Sequence, residues 1–148
     1  MNIHELRSEL WLPRPLDEVF PFFADAANLE LITPPFLKFH IEGPMPVEMK
    51  EGSLINYRLK VRGIPMRWQS EITVWEPGRR FVDEQRKGPY RMWCHEHSFE
   101  ERDGGTVARD HVRYAVPLDF IVHPLFVAPD VKRIFAYRKE KMEELFGD

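Results

Sequence analysis

An α+β fold is predicted by the way the hydrophobic period changes along the chain. The period is helical over a short segment near the N-terminus, two from about residue 37 to residue 116, and helical again at the C-terminal end. Strands that follow one another, with helices before and after them, are typical of an antiparallel sheet that carries its helices on one side. The 148 residues are enough for one domain, which we place at residues 1–148.

The N-terminal elements are a strand and two short helices. Residues 3–12 predict a strand because Leu6, Leu10 and Leu12 share one side. In the next segment one helical stripe is formed by Leu16, Val19, Phe20 and Phe23. Pro15 suits the first turn of this helix. A second short helix is predicted over residues 28–32, and it ends before Pro34 and Pro35.

The central region predicts successive antiparallel strands. The segment "SLINYRLKVRG" is the clearest, because apolar and charged residues alternate along it. Four further segments follow: "MRWQSEITVWEP", "RFVDEQRK", "YRMWCHEHSFEE" and "TVARDHVRYAV". Turn residues separate them at 63–65, 77–78, 88–89 and 103–105. The last segment predicts a long helix whose apolar stripe (Val131, Ile134, Phe135, Met142, Leu145 and Phe146) also includes Arg138.

The turn lengths predict which face of the sheet carries His95 and His97. A two-residue turn at Asp103-Gly104 sets His97 opposite Asp110, His95 opposite Val112 and Trp93 opposite Tyr114. The Pro77-Gly78 turn sets Val74 opposite Phe81 and Ile72 opposite Asp83. An odd-numbered loop at Gly88-Pro89 would set Asp83 opposite His95, whereas a two-residue turn would move Asp83 to the other face.

These registers predict a polar patch on the inner face of the sheet. Its members are Asp83, Gln85, His95, His97 and Asp110, and around it lie Trp68, Trp93, Phe99 and Tyr114. An apolar end of the same face is formed by Ile55, Tyr57, Leu59, Ile72 and Val74. Burying that many polar groups costs several kcal/mol, by order of magnitude, unless each finds a partner. The patch therefore pairs internally or lines a wet cavity.

The composition argues against several kinds of partner, covalent link and membrane segment. A formal charge of −3 argues against nucleic acid as the main partner. The single cysteine excludes an internal disulfide and a cysteine-based zinc site. The N-terminus lacks the apolar core of a signal peptide, and the longest apolar stretch contains Asp119, His123 and prolines. We therefore expect a cytoplasmic domain without stable membrane insertion.

The segments "PRPLDEVFPFFADAANLELITPP", "GPYRMWCHEHSFEE" and "GTVARDHVRYAVP" resemble those of the START/Bet v 1-like (SRPBCC) superfamily, which includes polyketide cyclase-like and coenzyme Q-binding-like bacterial members. This resemblance covers nearly the whole chain. It implies a helix-grip fold, in which a curved seven-stranded antiparallel sheet wraps around the C-terminal helix and encloses a cavity. Members of the superfamily bind lipids, steroids or quinones, and some are polyketide cyclases or aromatases.

The predicted function is binding of a small hydrophobic or amphipathic ligand, with possible transport or presentation, rather than catalysis. We assign no catalytic residue, metal or cofactor. The residues predicted to bind the ligand are Tyr57, Trp68, Asp83, Gln85, Trp93, His95, His97, Asp110, Tyr114, Phe135 and Arg138.

Three alternatives stay open. The first is a cyclase-like enzyme that uses His95 and His97 with aspartate partners. The second is a metal site on the same two histidines with Asp83 or Asp110. The third is a module that contacts a membrane or a protein transiently through apolar loops at "TPPFLKF" and "FIVHPLFVAP".

Overall fold

The structure is a computed structural model that describes residues 1–43 and 48–147. Seven strands are present in the described residues: β1 (His4–Leu12), β2 (His40–Glu42), β3 (Leu54–Val61), β4 (Ile64–Glu76), β5 (Arg80–Lys87), β6 (Met92–Arg102) and β7 (Gly105–Ala115). The helices are α1 (Leu16–Phe23), α2 (Asp119–Val122) and α3 (Ala128–Phe146). Short 3-10 helices cover Ala26–Ile32 and Pro35–Leu37, and a π-helical turn covers His123–Val127.

One antiparallel sheet contains all seven strands, in the order β1-β7-β6-β5-β4-β3-β2. β1 and β2 follow each other in sequence but lie at opposite edges, so α1 and the two 3-10 helices connect the two edges. The curved sheet and the C-terminal helix confirm the predicted helix-grip fold. The second predicted short helix is present, but it is a 3-10 helix that begins at Ala26 rather than Asn28.

Most of the predicted registers are confirmed. β6 and β7 pair His97 with Asp110 and His95 with Val112, and β5 and β6 pair Asp83 with His95. The loop at Gly88-Pro89 therefore contains an odd number of residues. This is the condition under which Asp83 lies on the inner face of the sheet. Its geometry is fixed by Gln85, whose amide donates to the Tyr90 carbonyl at 2.7 Å and accepts from the Tyr90 N–H at 3.1 Å.

The register predicted for Val74 is wrong. Phe81 pairs with Trp75, and Val74 pairs with Val82, whereas Ile72 does pair with Asp83. The register shifts by one residue between Ile72 and Val74, which is a β-bulge. Because of this bulge Trp75, not Val74, joins the inner apolar cluster and contacts Phe81 with ring centroids 5.3 Å apart.

The core lies between the inner face of the sheet and the helices. From α1, Phe20 and Phe23 contact Phe99 with ring centroids 5.3 and 5.1 Å apart. The buried residues of α3 are Val131, Phe135, Arg138 and Met142. Arg138 therefore points into the protein as the stripe predicted, while Leu145, also assigned to the stripe, is 44% exposed.

The segment "FIVHPLFVAP" is helical, which corrects the expectation of a loop. α2, the π-helical turn and α3 follow without a break from Asp119 to Phe146. Leu118, before α2, has a left-handed backbone with φ of 53°. Within the described residues, helices long and apolar enough to span a membrane are absent.

Candidate functional site

A cavity of about 490 Å³ lies between the inner face of the sheet and α3. This volume is in the range of sites that hold drug-sized ligands. Its walls come from β3, β4, β5 and β6 on the sheet side and from Phe135 and Ile134 of α3 on the other. Leu37, Phe39 and Met49 close one side of it.

Aromatic side chains form the apolar wall. Tyr57 and Trp68, which pair across β3 and β4, are stacked with ring centroids 5.8 Å apart. Trp93 meets Trp68 edge to face at 5.5 Å. Ser70 contacts the polar atoms of Trp68 and Tyr57, because its hydroxyl accepts from Trp68 Nε1 at 2.9 Å and lies 3.4 Å from the Tyr57 hydroxyl. Burial and the nearby Asp83 raise the pKa of Tyr57 well above its ordinary value, so the phenol stays protonated.

At one end of the cavity lies a polar cluster, here called the polar floor, made of Asp83, His95, His97, Asp110 and Arg138. His97 Nε2 lies 2.6 Å from Asp83 Oδ2, and His95 Nε2 lies 2.7 Å from Asp110 Oδ1. Arg138 donates from Nε to Asp110 Oδ2 at 3.2 Å and from Nη2 to His97 Nδ1 at 3.1 Å. The two imidazole rings stack with centroids 3.6 Å apart.

The hydrogen bonds determine the proton position on His97. A guanidinium can only donate, so His97 Nδ1 accepts and the proton of the neutral ring is on Nε2, which donates to Asp83. The pKa of His97 is well below its ordinary value, first because the ring is buried and then because His95 and Arg138 carry or acquire positive charge beside it. His97 is therefore neutral at pH 7.

The two aspartates of the polar floor have opposite pKa shifts. Burial raises the pKa of Asp83, and the charge of Asp110 adds to this rise against the opposing effects of His95 and Arg138. Burial acts in the same direction on Asp110, but Arg138 and the two histidines outweigh it and lower the pKa of Asp110. Asp110 is thus the ionised partner of Arg138, and Asp83 is the carboxylate that a bound group can most readily influence.

Three atoms of the polar floor remain available to a ligand. His95 Nδ1, Asp83 Oδ1 and Arg138 Nη1 have no hydrogen-bond partner among residues 1–43 and 48–147, and none of them is enclosed by protein. Their side chains all line the cavity. When the His95 ring is neutral and its Nε2 donates to Asp110, its Nδ1 carries a lone pair, and the polar floor then offers two acceptors and one donor.

The same geometry opposes a metal ion on Asp83, His95 and His97, although these side chains are close enough to share one. A metal would need a lone pair on His97 Nε2, yet that atom carries the proton as long as Arg138 donates to Nδ1. The guanidinium would also lie beside the cation. The polar floor therefore suits a neutral hydrogen-bonding group better than a metal.

Eight of the eleven predicted ligand-binding residues line the cavity: Tyr57, Trp68, Asp83, Trp93, His95, His97, Phe135 and Arg138. The other three, Gln85, Asp110 and Tyr114, do not. Gln85 holds the loop at Gly88-Pro89, and Asp110 lies behind His95 and Arg138 as their acceptor. The Tyr114 hydroxyl lies 2.9 Å from His123 Nε2, away from the cavity.

Sequence reasoning missed two features of the cavity lining, Tyr90 and the ion pair of Arg62 with Asp130. Tyr90 lines the cavity and packs on Trp93 with ring centroids 4.9 Å apart. It was missed because the predicted strand "YRMWCHEHSFEE" included it, whereas β6 begins at Met92 and Tyr90 lies in the preceding loop. Arg62 donates to both oxygens of Asp130, at 3.1 and 2.9 Å, and its guanidinium carbon lies 4.9 Å from the centroid of the Phe126 ring. This pair joins the end of β3 to the start of α3, 68 residues apart, and no local signal could have indicated it.

Comparison with known proteins identifies the family. Residues 12–143 match the model of the family described as "Polyketide cyclase / dehydrase and lipid transport". The chain belongs to this family. No curated protein matches the chain.

Solved structures with a similar fold align with almost the whole chain. Protein CV1439 from Chromobacterium violaceum has a TM-score of 0.76 at 13% identity, covering 98% of this chain and 99% of its own. Ginseng major latex-like protein 151 from Panax ginseng has a TM-score of 0.72 at 11% identity, covering 97% of each chain. Protein Ms6760 from Mycobacterium smegmatis has a TM-score of 0.69 at 16% identity, covering 98% of this chain and 96% of its own. At sequence identities this low, the three structures show similarity of fold alone.

Proposed function

We propose that this protein binds a hydrophobic molecule that carries a hydroxyl group, with the hydroxyl at the polar floor. The observation that carries the proposal is the combination of an aromatic and aliphatic cavity with three available polar atoms at one end. Apolar walls supply affinity through burial, and a few convergent polar atoms set the orientation.

The choice of a hydroxyl follows from the charges and donors of the polar floor. A hydroxyl both donates and accepts, so it can donate to His95 Nδ1 or Asp83 Oδ1 and accept from Arg138 Nη1. A carboxylate can only accept, and it would meet two aspartates against one guanidinium. An alkane-like ligand would leave the three polar atoms without partners, which is costly in a desolvated site.

The matching family, whose description includes lipid transport, supports a carrier role for the cavity. We propose that the ligand enters between the Arg62–Asp130 pair and Tyr90, since these residues line the cavity where β3 and the start of α3 meet. Release of this ion pair would widen the entrance without disturbing the polar floor.

The experiment is displacement of a neutral naphthylamine fluorophore from the purified protein by dodecanol, methyl dodecanoate and dodecanoate. The proposal expects dodecanol to displace it best and dodecanoate worst. Ile134→Trp, which fills the cavity from α3, is the matched blocked variant and should bind none of them. Equal binding by wild type and Ile134→Trp, or a preference for dodecanoate, would contradict the proposal.

Cyclase-like catalysis is the second candidate function, and His95 favours it. Its Nε2 donates to Asp110 while Nδ1 is available in the cavity, which is how a carboxylate orients a general base. In this role His95 would remove a proton next to a ligand carbonyl. Turnover of a linear polyketide thioester that is lost in a folded His95→Asn variant would support catalysis, and turnover unchanged by that substitution would exclude His95 as the base.

A further inference from the structure

Three side chains of metal-binding type lie together outside the cavity. They are His4 of β1, Asp119 at the start of α2 and His123 at the start of the π-helical turn. One ligating atom from each lies within 4.8 Å of those of the other two. His4 Nε2 is 2.5 Å from Asp119 Oδ1, and the two imidazole rings are stacked with centroids 3.4 Å apart. None of the three lines the cavity, so the proposed ligand does not account for this cluster.

The backbone places these groups on facing elements. Asp119 and His123 are four residues apart in one continuous helical segment, so both project from the same face of it. His4 faces them from the first residue of β1. The side chains of His4 and Asp119 are 26% and 23% exposed, which leaves an ion a path from solvent. The His4 ring would turn out of its parallel stack on His123, so that both imidazoles could direct an in-plane lone pair at one ion.

Two of the three candidate ligands have a neighbour that holds their orientation. Asn2 donates to Asp119 Oδ2 at 3.1 Å, on the oxygen that His4 does not use. The Tyr114 hydroxyl lies 2.9 Å from His123 Nε2. Partners of this kind fix the tautomer and direction of metal ligands, and they commonly accompany built metal sites.

The partner of His123 distinguishes this cluster from the polar floor. A tyrosine hydroxyl can accept as well as donate, so its oxygen can accept a hydrogen bond from the Nε2–H of His123, which leaves a lone pair on Nδ1 for an ion. Arg138 cannot do this for His97. The cluster also contains one carboxylate, and among residues 1–43 and 48–147 no lysine or arginine hydrogen-bonds to it.

We propose that His4, Asp119 and His123 bind a first-row divalent transition-metal ion of the Zn²⁺ class, with water completing the coordination. Two imidazoles and one carboxylate suit zinc, nickel or copper and disfavour magnesium or calcium, which prefer all-oxygen sites. The ion would replace the His4–Asp119 hydrogen bond. It would also link the start of β1 to the helical segment whose Val122, Phe126 and Val127 line the cavity.

The test is isothermal titration of ZnCl₂ into tag-free protein, with MgCl₂ as the comparison ion. Wild type should bind one Zn²⁺ per chain and show a higher melting temperature with Zn²⁺ than with Mg²⁺. The variants His4→Gln, Asp119→Asn and His123→Asn should each weaken zinc binding at least about tenfold. Circular dichroism establishes that each variant is folded, and the use of three variants keeps the outcome independent of any one of them.

Two matched controls locate the ion. His111→Gln removes an outer-face histidine that pairs with Glu5, and His95→Asn removes a histidine of the polar floor. Both should bind zinc as wild type does. No zinc binding by wild type, binding that persists in all three cluster variants, or binding lost in His95→Asn would overturn the proposal.

Discussion

The Nε2 atom of His97 lies 2.6 Å from Asp83, although the residue paired with Asp83 across β5 and β6 is His95. The hydrogen bonds of the polar floor thus join residues that are not paired in the strand register. His97 bonds to Asp83 of β5, and His95 bonds to Asp110 of β7. Arg138 completes the arrangement from α3 by contacting both Asp110 and His97. The sheet and the C-terminal helix are therefore joined by a polar network at the end of an otherwise apolar cavity.

Replacing Arg138 with methionine should destabilise the protein strongly. The substitution leaves the Asp110 carboxylate buried without its guanidinium, a loss of about 3–5 kcal/mol in the free energy of unfolding. Urea unfolding measures it. Asp110→Asn added to Arg138→Met should restore part of the loss, because the uncompensated charge is then gone. Lys141→Met is the control on the same helix, since Lys141 pairs with Glu144 at the surface. Equal stability of wild type and Arg138→Met would contradict the structural role of the pair.

His97 should make stability depend on pH. Burial, together with His95 and Arg138, holds the pKa of His97 well below its ordinary value of about 6.5. Below that pH the unfolded chain takes up a proton that the folded chain does not, so the contribution is intact above about pH 6.5 and decreases as the pH falls toward the folded pKa. The slope for one proton is at most about 1.4 kcal/mol per pH unit.

The comparison protein for this pH effect is His97→Gln, whose amide can still donate to Asp83 and accept from Arg138. Urea unfolding of both proteins between about pH 7 and pH 5 should give a smaller loss of stability for the variant. The rest of the chain is common to both proteins, so the difference between the two slopes reports the substitution at His97. Parallel slopes would mean that His97 is not held neutral in the folded state.

Asp83→Asn should change which head group the cavity accepts. The substitution removes one negative charge from the polar floor while keeping a side chain that can accept from His97 Nε2. We expect affinity for dodecanoate relative to dodecanol to rise roughly tenfold, equivalent to about 1.4 kcal/mol. Fluorophore displacement measures the ratio. Glu84→Gln, on the opposite face of β5, is the matched control and should leave the ratio unchanged; the same change in both variants would point to general charge rather than to the polar floor.

Arg62→Gln should speed ligand release with little effect on stability. Arg62 pairs with Asp130 at the proposed entrance and is 46% exposed in its side chain, so the pair contributes at most about 1 kcal/mol to folding. Dissociation of the naphthylamine fluorophore, followed by stopped flow, should be faster by roughly threefold to tenfold, since interface changes act mainly on dissociation. Arg67→Gln, with a side chain that is 85% exposed, serves as control. An unchanged dissociation rate would place the entrance elsewhere.

Much of the fold and three of the five residues of the polar floor were predictable because turns fix registers. The Asp103-Gly104 turn alone placed His95, His97 and Asp110 on one face, since a side-chain period of two leaves no other choice. Arg138 was predictable from its position in the stripe of α3. Val74 was misplaced because a bulge between Ile72 and Val74 has no signature in the sequence.

The sequence does not indicate which of several neighbouring side chains forms a given hydrogen bond. Asp83 has two histidines nearby, and only the positions of three strands and α3 decide that His97 donates to it. For the same reason Tyr114 was assigned to the cavity although its hydroxyl meets His123 of the π-helical turn. The cluster of His4, Asp119 and His123 joins residues more than 100 positions apart, so periodicity carries no signal for it.

The most direct test of the proposed function is a crystal structure of the protein with bound dodecanol. We predict the alkyl chain along Tyr57, Trp68 and Phe135, and the hydroxyl oxygen within about 3.2 Å of His95 Nδ1 or Asp83 Oδ1. A hydroxyl placed at the mouth beside Arg62, or a cavity that stays without alcohol at saturating concentration, would contradict the account.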